Sequence, residues 1–308
     1  MFIVNYRKVF FALSGVLIVG SIVAMVMFGF NFGIDFKGGS ILEVSYQNAR
    51  PDMESIKTDL NTLGLGTYIL TPLGDSKYVL KARDLTPAEK TQVFNVLSGS
   101  GDPAFAERYG VTKEERFNSI GPVVGQELKN KALLAIALVV ICIVLFITFA
   151  FRKVSYPVSS WKYGIATIIA LAHDVIIPTG VFIVWSHFRG GEIDMLFVSA
   201  LLAILGYSVH DTIVVFDRVR ENLRLSHDAR GKDTFQETVG KSVTQTFGRS
   251  INTSLTIFLS LVALYFIGGE TTRDFAFVLI IGVIAGTYSS IFVASPLLVT
   301  LQKLQKKN

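Results

Sequence analysis

The stretch that decides the fold is Ala200-Leu-Leu-Ala-Ile-Leu-Gly-Tyr-Ser-Val-His-Asp-Thr-Ile-Val-Val-Phe216, an apolar run with His210 and Asp211 inside it. A second polar-headed run, Arg249-Ser-Ile-Asn-Thr-Ser-Leu-Thr-Ile-Phe258, follows some thirty residues later. An ionisable group at membrane depth is expensive, so it usually pairs or carries an ion. The two runs therefore predict a membrane protein with buried functional charges.

The composition agrees with a lipid environment. The 308 residues are 51% hydrophobic and 17% charged, whereas a soluble domain is about 25% charged. The basic residues behind the net charge of +5 sit at the ends of apolar runs, which argues against a nucleic-acid partner. A single cysteine, Cys142, excludes an internal disulfide, and four scattered histidines predict no metal site.

Apolar runs of about 20 residues are long enough to cross a bilayer as helices. We predict an all-α bundle of six such spans: a first transmembrane helix within residues 1–30, and five more within residues 132–308. The predicted spans are Val9–Phe30, Ala132–Phe151, Tyr163–Trp185, Met195–Phe216, Ile251–Ile267 and Phe275–Leu301.

The basic residues near the spans predict the orientation. Fifteen Lys and Arg side chains lie on one side, against Arg189 and Arg273 in the two short loops opposite. Since cytoplasmic loops carry the excess of Lys and Arg, both termini are predicted to be cytoplasmic, with a cytoplasmic loop at about 218–248. The fifteen are Arg7, Lys8, Arg152, Lys153, Lys162, Arg218, Arg220, Arg224, Arg230, Lys232, Lys241, Arg249, Lys303, Lys306 and Lys307.

The segment 31–131 then lies outside the cytoplasm and has the length and polarity of a domain. Alternation predicts strands at 41–46, 67–70, 78–81 and 117–120, and start signals predict helices at 51–63 and from Thr86 to about Leu97. The order β-α-β-β-α-β predicts an inserted α+β domain of the ferredoxin-like type.

Four segments, in this order, resemble signature segments of the SecF family of translocase subunits, in the resistance-nodulation-division superfamily. They are Gly33-Ile-Asp-Phe-Lys-Gly-Gly39, Ser119-Ile-Gly-Pro-Val-Val-Gly125, the run from Gly206 to Asn222, and Arg249-Ser-Ile-Asn-Thr-Ser254. Together with the six spans and one large outer domain, the resemblance covers essentially the whole chain.

The resemblance implies a subunit that acts in protein export at the bacterial inner membrane. It also implies that SecD supplies six further spans, that the Sec channel SecYEG and YajC are further partners, and that an ion gradient drives late export steps. By the same resemblance, Asp211 matches the intramembrane acid of the fourth span and Arg249 the basic residue opening the fifth. His210 stands where Asn is equally expected, as an accessory proton ligand or a tolerated substitution.

The physics of Asp211 and Arg249 allows two interpretations. Lipid favours the neutral acid while a nearby Arg favours the carboxylate, so Asp211 could bind and release a proton as its distance from Arg249 changes. Alternatively, the pair is a fixed clip between two helices. The coupling ion, H⁺ or Na⁺, stays open.

Three further ionisable residues are candidates for the ion path. His173 and Asp174 precede Pro178 within the third span, as a relay or a structural polar contact. Asp217 lies beside Arg218 and Arg220 and is expected to be a solvated charge at the interface.

Small and hydroxyl-bearing residues of the last two spans are expected to pack helices. Asn252, Thr253 and Ser254 can hydrogen-bond between helices, and Gly282 with Gly286 forms a close-packing motif.

Covalent catalysis and cofactors are not expected. Gly33–Gly39 lacks the Gly-Lys-Ser/Thr end of a phosphate loop, and no nucleophile elbow or HExxH is present. Two alternatives to protein export remain: a half-sized exporter of a small hydrophobic molecule or lipid, and an assembly scaffold whose charges only bind neighbouring helices.

Overall fold

We describe a computed structural model of the chain, covering residues 2–151, 159–228 and 233–305. Six of the predicted basic residues lie outside these ranges: Arg152, Lys153, Arg230, Lys232, Lys306 and Lys307. The chain divides into two compact units, one of Met1–Asn31 with Leu134–Asn308 and one of Phe32–Leu133.

The helices are α1 (Phe2–Asn5), α2 (Arg7–Phe28), α3 (Ile34–Lys37), α4 (Met53–Asn61), α5 (Pro87–Leu97), α6 (Pro103–Tyr109), α7 (Pro122–Ala150), α8 (Ser160–Arg189), α9 (Met195–Asp228), α10 (Phe235–Ile267), α11 (Glu270–Tyr288) and α12 (Ser295–Gln305). A π-helical turn, Ser289–Ala294, joins α11 to α12. The strands are β1 (Gly39–Tyr46), β2 (Ile69–Leu73), β3 (Lys77–Ala82) and β4 (Thr112–Ile120).

Within these ranges, six helical segments are long and apolar enough to cross a membrane, as predicted. They are α2, α7, α8, α9, α10, and the sixth span formed by α11, the π turn and α12. The third, fourth and sixth spans are mostly buried against protein, while the first, second and fifth expose most of their surface. The three central spans therefore offer the sites most protected from lipid.

The predicted loop at about 218–248 is largely helical instead. The fourth span continues to Asp228, and the fifth begins at Phe235 after a capping box of Thr234 and Glu237. The two extensions hold each other because Asn222, 6% exposed, donates to Ser242 and Gln245 at 2.8 Å. The polar composition that predicted a loop serves here as a contact between helices.

The sixth span is interrupted by a π turn, whose cause is Pro296. Proline has no N–H and its ring clashes with the carbonyl four residues earlier, so an α-helical ladder cannot continue through it. The ladder widens over Ser289–Ala294, and the Ser295 hydroxyl donates to the Ser290 carbonyl at 3.0 Å. The predicted single helix Phe275–Leu301 is thus two helices with a widened turn between them.

The unit Phe32–Leu133 has the ferredoxin-like topology that the sequence predicts. Its antiparallel sheet has the order β2-β3-β1-β4, and α4 and α5 cross between strands. Leu42, Val44 and Tyr46 of β1 pack with the buried residues of α4 and α5 in one core. Helix α6 was not predicted, although Asp102, its N-cap, and Pro103 at its first position are start signals.

Candidate functional site

Asp211 lies on α9 and is 6% exposed. Ser250 of α10 donates to its Oδ1 at 2.6 Å, and Ser290 of the π turn donates to its Oδ2. Three of the six spans therefore meet at this carboxyl group.

Asp174 lies on α8, is fully buried, and is held in the same way. Ser208 of α9 and Ser289 of the π turn both donate to its Oδ2, the latter at 2.7 Å. Nδ1 of the neighbouring His173 lies 2.8 Å from Oδ1. This carboxyl group also joins three spans, the third, the fourth and the sixth.

The π turn presents adjacent hydroxyls to the two carboxyl groups. Successive residues of a helix point about 100° apart, so Ser289 and Ser290 reach different neighbouring helices. Ser289 donates to Asp174 on α8, while Ser290 donates to Asp211 on α9. One turn of backbone thus connects both acids.

A ladder of hydroxyls continues from Asp211 along α9, α10 and α11. The Thr287 hydroxyl donates to Ser254 at 2.6 Å, and Tyr207 Oη bonds both Ser254 and Thr287. The Ser254 hydroxyl donates to the backbone carbonyl of Ser250, and the Ser250 hydroxyl donates to Asp211. Polar contacts therefore extend beyond the carboxyl groups.

His173 is 1% exposed, and its ring stacks on Tyr288 with 5.9 Å between centroids. Tyr288 is fixed because its hydroxyl donates to the Phe10 carbonyl of α2 at 2.9 Å. Nε2 of His173 is buried and has no hydrogen-bond partner among the residues described. A buried polar atom without a partner is costly, which marks this nitrogen as a place for an added proton or water.

The structure does not bring Arg249 to Asp211. The Arg249 side chain is exposed, and within the described part of the chain Asp211 has hydroxyl partners and no ion pair. The fixed Asp211–Arg249 clip is therefore absent from this conformation. His210 is also exposed, one residue from Asp211 on another face of α9.

Asp217 is exposed and forms an ion pair with Arg220 at 2.5 Å, one helical turn along α9. It makes no contact with the two buried acids among the hydrogen bonds of the described residues. Its position fits the solvated charge that the sequence predicts.

The predicted packing residues separate into two groups. Ser254 is buried and bonds between helices, whereas Asn252 and Thr253 are exposed on α10. A Cβ at Gly282 would lie 2.2 Å from Ile204 of α9, and one at Gly286 would lie 3.1 Å from Ser208. Both glycines therefore face α9 at close approach.

The first two signature segments meet inside the α+β unit. A Cβ at Gly38, whose φ is +77°, would lie 2.7 Å from Pro122 Cα, and one at Gly125 would lie 2.9 Å from the Gly38 nitrogen. Close backbone contact, rather than phosphate binding, accounts for these glycines.

The serines that hold the acids are not among the residues predicted from the sequence: Ser208, Ser250, Ser289 and Ser290. Hydroxyl residues are common as packing contacts in membrane helices, so each alone carries little signal. The pair Ser289-Ser290 had a usable signal, because Pro296 lies six residues beyond it and predicts a disturbed helix there.

Comparison with known proteins agrees with this architecture. The family model described as "Protein export membrane protein SecD/SecF, C-terminal" matches residues 103–304, and the SecD/SecF GG motif matches residues 23–49. A protein translocase subunit SecF from Thermobaculum terrenum is 40% identical, over 97% of this chain and 93% of its own. The SecF subunit of Vibrio alginolyticus is 35% identical, over 96% and 88%.

A crystal structure of SecDF from Thermus thermophilus, described as a translocon-associated membrane protein, superposes with a TM-score of 0.78. It is 30% identical, and the match covers 97% of this chain and 38% of that longer chain. The family match and near-full-length relatives have one consequence: the chain belongs to the SecF family of protein translocase subunits, multi-pass membrane proteins with a role in protein export.

Proposed function

We propose that this protein, with SecD, uses an ion gradient to drive late steps of protein export through the Sec channel. In this proposal Asp211 is the carboxyl group that takes up and releases the coupling ion. The observation that carries it is the environment of Asp211: 6% exposed, on a spanning helix, and bonded to the hydroxyls of Ser250 and Ser290.

Hydroxyl ligands suit an acid that changes its charge. A hydroxyl donates to a carboxylate and can turn to accept from the protonated acid, so both forms keep hydrogen bonds. A permanent ion pair would instead hold the carboxylate charged. Moving one charge through the membrane field is worth about 2.3 kcal/mol per 100 mV, so a few ions per cycle supply energy for a conformational step.

The exposed side chains around Asp211 support a membrane partner. His210 and Arg249 lie on exposed faces of two spanning helices, and an ionisable group facing lipid is expensive. A partner with complementary polar groups removes that cost. The SecDF chain, which is longer than this one, is consistent with SecD as that partner.

The orientation belongs to the same proposal. The excess of Lys and Arg on one side supports cytoplasmic termini in a bacterial inner membrane. The unit Phe32–Leu133 then lies outside the cytoplasm, where an exported chain emerges.

The test is gradient-dependent preprotein export in vesicles that contain the chain, SecD and the Sec channel. Asp211→Asn keeps the size of the side chain and removes its negative charge and its titratable carboxyl group. We expect export to lose its dependence on the ion gradient while expression and co-purification with SecD stay normal.

Glu221→Gln is the matched control, because Glu221 is an exposed acid of the same helix that pairs with Arg218 at 2.6 Å. It should leave export unchanged. Gradient-dependent export that survives in Asp211→Asn would exclude Asp211 as the coupling group. Normal assembly with lost export in Asp211→Asn would exclude the scaffold alternative. Gradient-driven transport of a lipid or small hydrophobic molecule by the chain without SecD would instead support the exporter alternative.

A further inference from the structure

The two buried acids accept hydrogen bonds from two residues that are consecutive in the chain. Asp174 accepts from Ser289 and Asp211 accepts from Ser290, and both serines are fully buried. The hydroxyls belong to consecutive residues, so one cannot be displaced far without moving the other. One peptide unit therefore links the hydrogen-bond partners of the two acids.

The surroundings of Asp174 contain no compensating cation in the described part of the chain. Its contacts are His173 of α8, Ser208 of α9 and Ser289 of the π turn. From α11, Tyr288 faces the pair by stacking on the imidazole. From α2 and α12, no described titratable group lies within hydrogen-bond or ion-pair distance of the carboxyl group. Among the described residues, His173 is therefore the group placed to neutralise Asp174.

The His173–Asp174 pair can bind one additional proton. With a neutral imidazole and an ionised carboxyl group the pair carries one negative charge, which is costly at full burial. One added proton, on the carboxyl group or on Nε2 of His173, makes the pair neutral. Nε2 is buried and without a partner among the described residues, so it can receive that proton.

We propose that His173 and Asp174 form a second proton-binding site and that Ser289 and Ser290 couple its occupancy to that of Asp211. The proposal rests on the function proposed above. Its chemistry is simple: a proton from water adds to the pair and is later returned to water, and no other bond is made or broken. It also favours H⁺ over Na⁺ at this pair, because hard cations prefer oxygen ligands and an imidazole binds a proton.

The first measurement is infrared difference spectroscopy of the full chain, reconstituted with SecD in vesicles and titrated with acid. A protonated carboxyl group has a C=O stretching band separate from that of carboxylates. We expect one such band to be lost in Asp174→Asn and displaced in Asp174→Glu, which keeps the carboxyl group if the amide variant folds poorly. A titration in which neither variant changes any band would overturn the second site.

The second measurement tests the coupling. Asp211→Asn should shift the titration midpoint of the Asp174 band, and this shift should disappear in the Ser289→Ala and Ser290→Ala backgrounds. Ser208→Ala is the matched control, because Ser208 and Ser289 donate to the same oxygen of Asp174 and only Ser289 adjoins Ser290. The shift should persist with Ser208→Ala. A shift that persists in all backgrounds would overturn the role of the two serines.

The proposed function and this inference fail in different ways. Gradient-dependent export that survives in Asp211→Asn removes Asp211 as the coupling group, whatever the spectra show. Export lost in Asp211→Asn, with no Asp174 band, removes only the second site.

Discussion

Replacing Gly282 with Ala tests whether the close approach of α11 to α9 holds the site together. The new Cβ would lie 2.2 Å from Cδ1 and 2.3 Å from Cγ1 of Ile204. Non-bonded carbons settle at about 3.5–4.0 Å, so at least ~1 Å of movement is needed. Ile204 is fully buried and has little room to turn away.

The expected cost is that of overpacking a core, about 1–3 kcal/mol. The consequence for the site follows from the same movement. If α11 retreats from α9 by about 1 Å, the hydrogen bond from Ser290, in the π turn that follows α11, to Asp211 on α9 is stretched and weakened. We therefore expect Gly282→Ala to lower both the thermal unfolding midpoint in detergent and gradient-dependent export.

Gly20→Ala is the control for a glycine in a spanning helix, because a Cβ there meets nothing within 4 Å. It should be neutral or stabilising by up to about 1 kcal/mol, since glycine weakens a helix. Ile204→Ala removes all three clashing atoms and alone should cost about 2–5 kcal/mol. The double variant Ile204→Ala with Gly282→Ala should then lose less free energy of unfolding than the two single variants lose together.

Two outcomes would refute this reasoning. One is Gly282→Ala unfolding at the same temperature as Gly20→Ala. The other is strict additivity in the double variant, because additive effects mean that the two side chains do not compete for the same space.

Two further predictions concern the α+β unit. Arg83 and the cap residue Thr86 lower the pKa of Glu89 to about 2, so its stabilisation of α5 is present above the unfolded pKa of about 4.3 and is lost as pH falls towards 2. Glu89→Gln should speed amide exchange at the start of α5 at neutral pH and have a much smaller effect near pH 2, and equal effects at both would contradict this. Gly125→Ala places a Cβ 2.9 Å from the backbone nitrogen of Gly38 and should cost about 1–3 kcal/mol of stability. The control Gly121→Ala, whose new Cβ would lie 3.8 Å from its nearest neighbour, should be tolerated. Equal thermal unfolding midpoints for the two variants would contradict this prediction.

The spans and the sheet could be predicted from sequence because each has a strong local signal. A bilayer requires about 20 apolar residues per helix, and the runs around Ala132–Phe151 and Met195–Phe216 satisfy this without ambiguity. The strands alternate and the helix starts carry caps such as Thr86 with Glu89. These signals depend on neighbours in sequence, so they survive without knowledge of the tertiary structure.

The partners of the buried acids could not be predicted in the same way. Asp174 and Ser289 are 115 residues apart, and Asp211 and Ser250 are 39 apart, so their contact depends on how the helices pack. A buried acid is expected to pair with a basic side chain, so Arg249 was the expected partner of Asp211. In the structure the neighbouring Ser250 faces Asp211, while the Arg249 side chain is exposed.

The packing motif and the two buried acids are structurally linked. Gly282, Gly286, Ser289 and Ser290 follow the spacing i, i+4, i+7 and i+8, which places them on one face of the sixth span. A serine hydroxyl is short, so it can reach an acid on a neighbouring helix only when the two backbones lie close together. Glycine permits that approach, and the π turn before Pro296 directs the two hydroxyls to different helices. A substitution that separates α11 from α9 should therefore disturb both acids at once, although none of the four residues carries a charge.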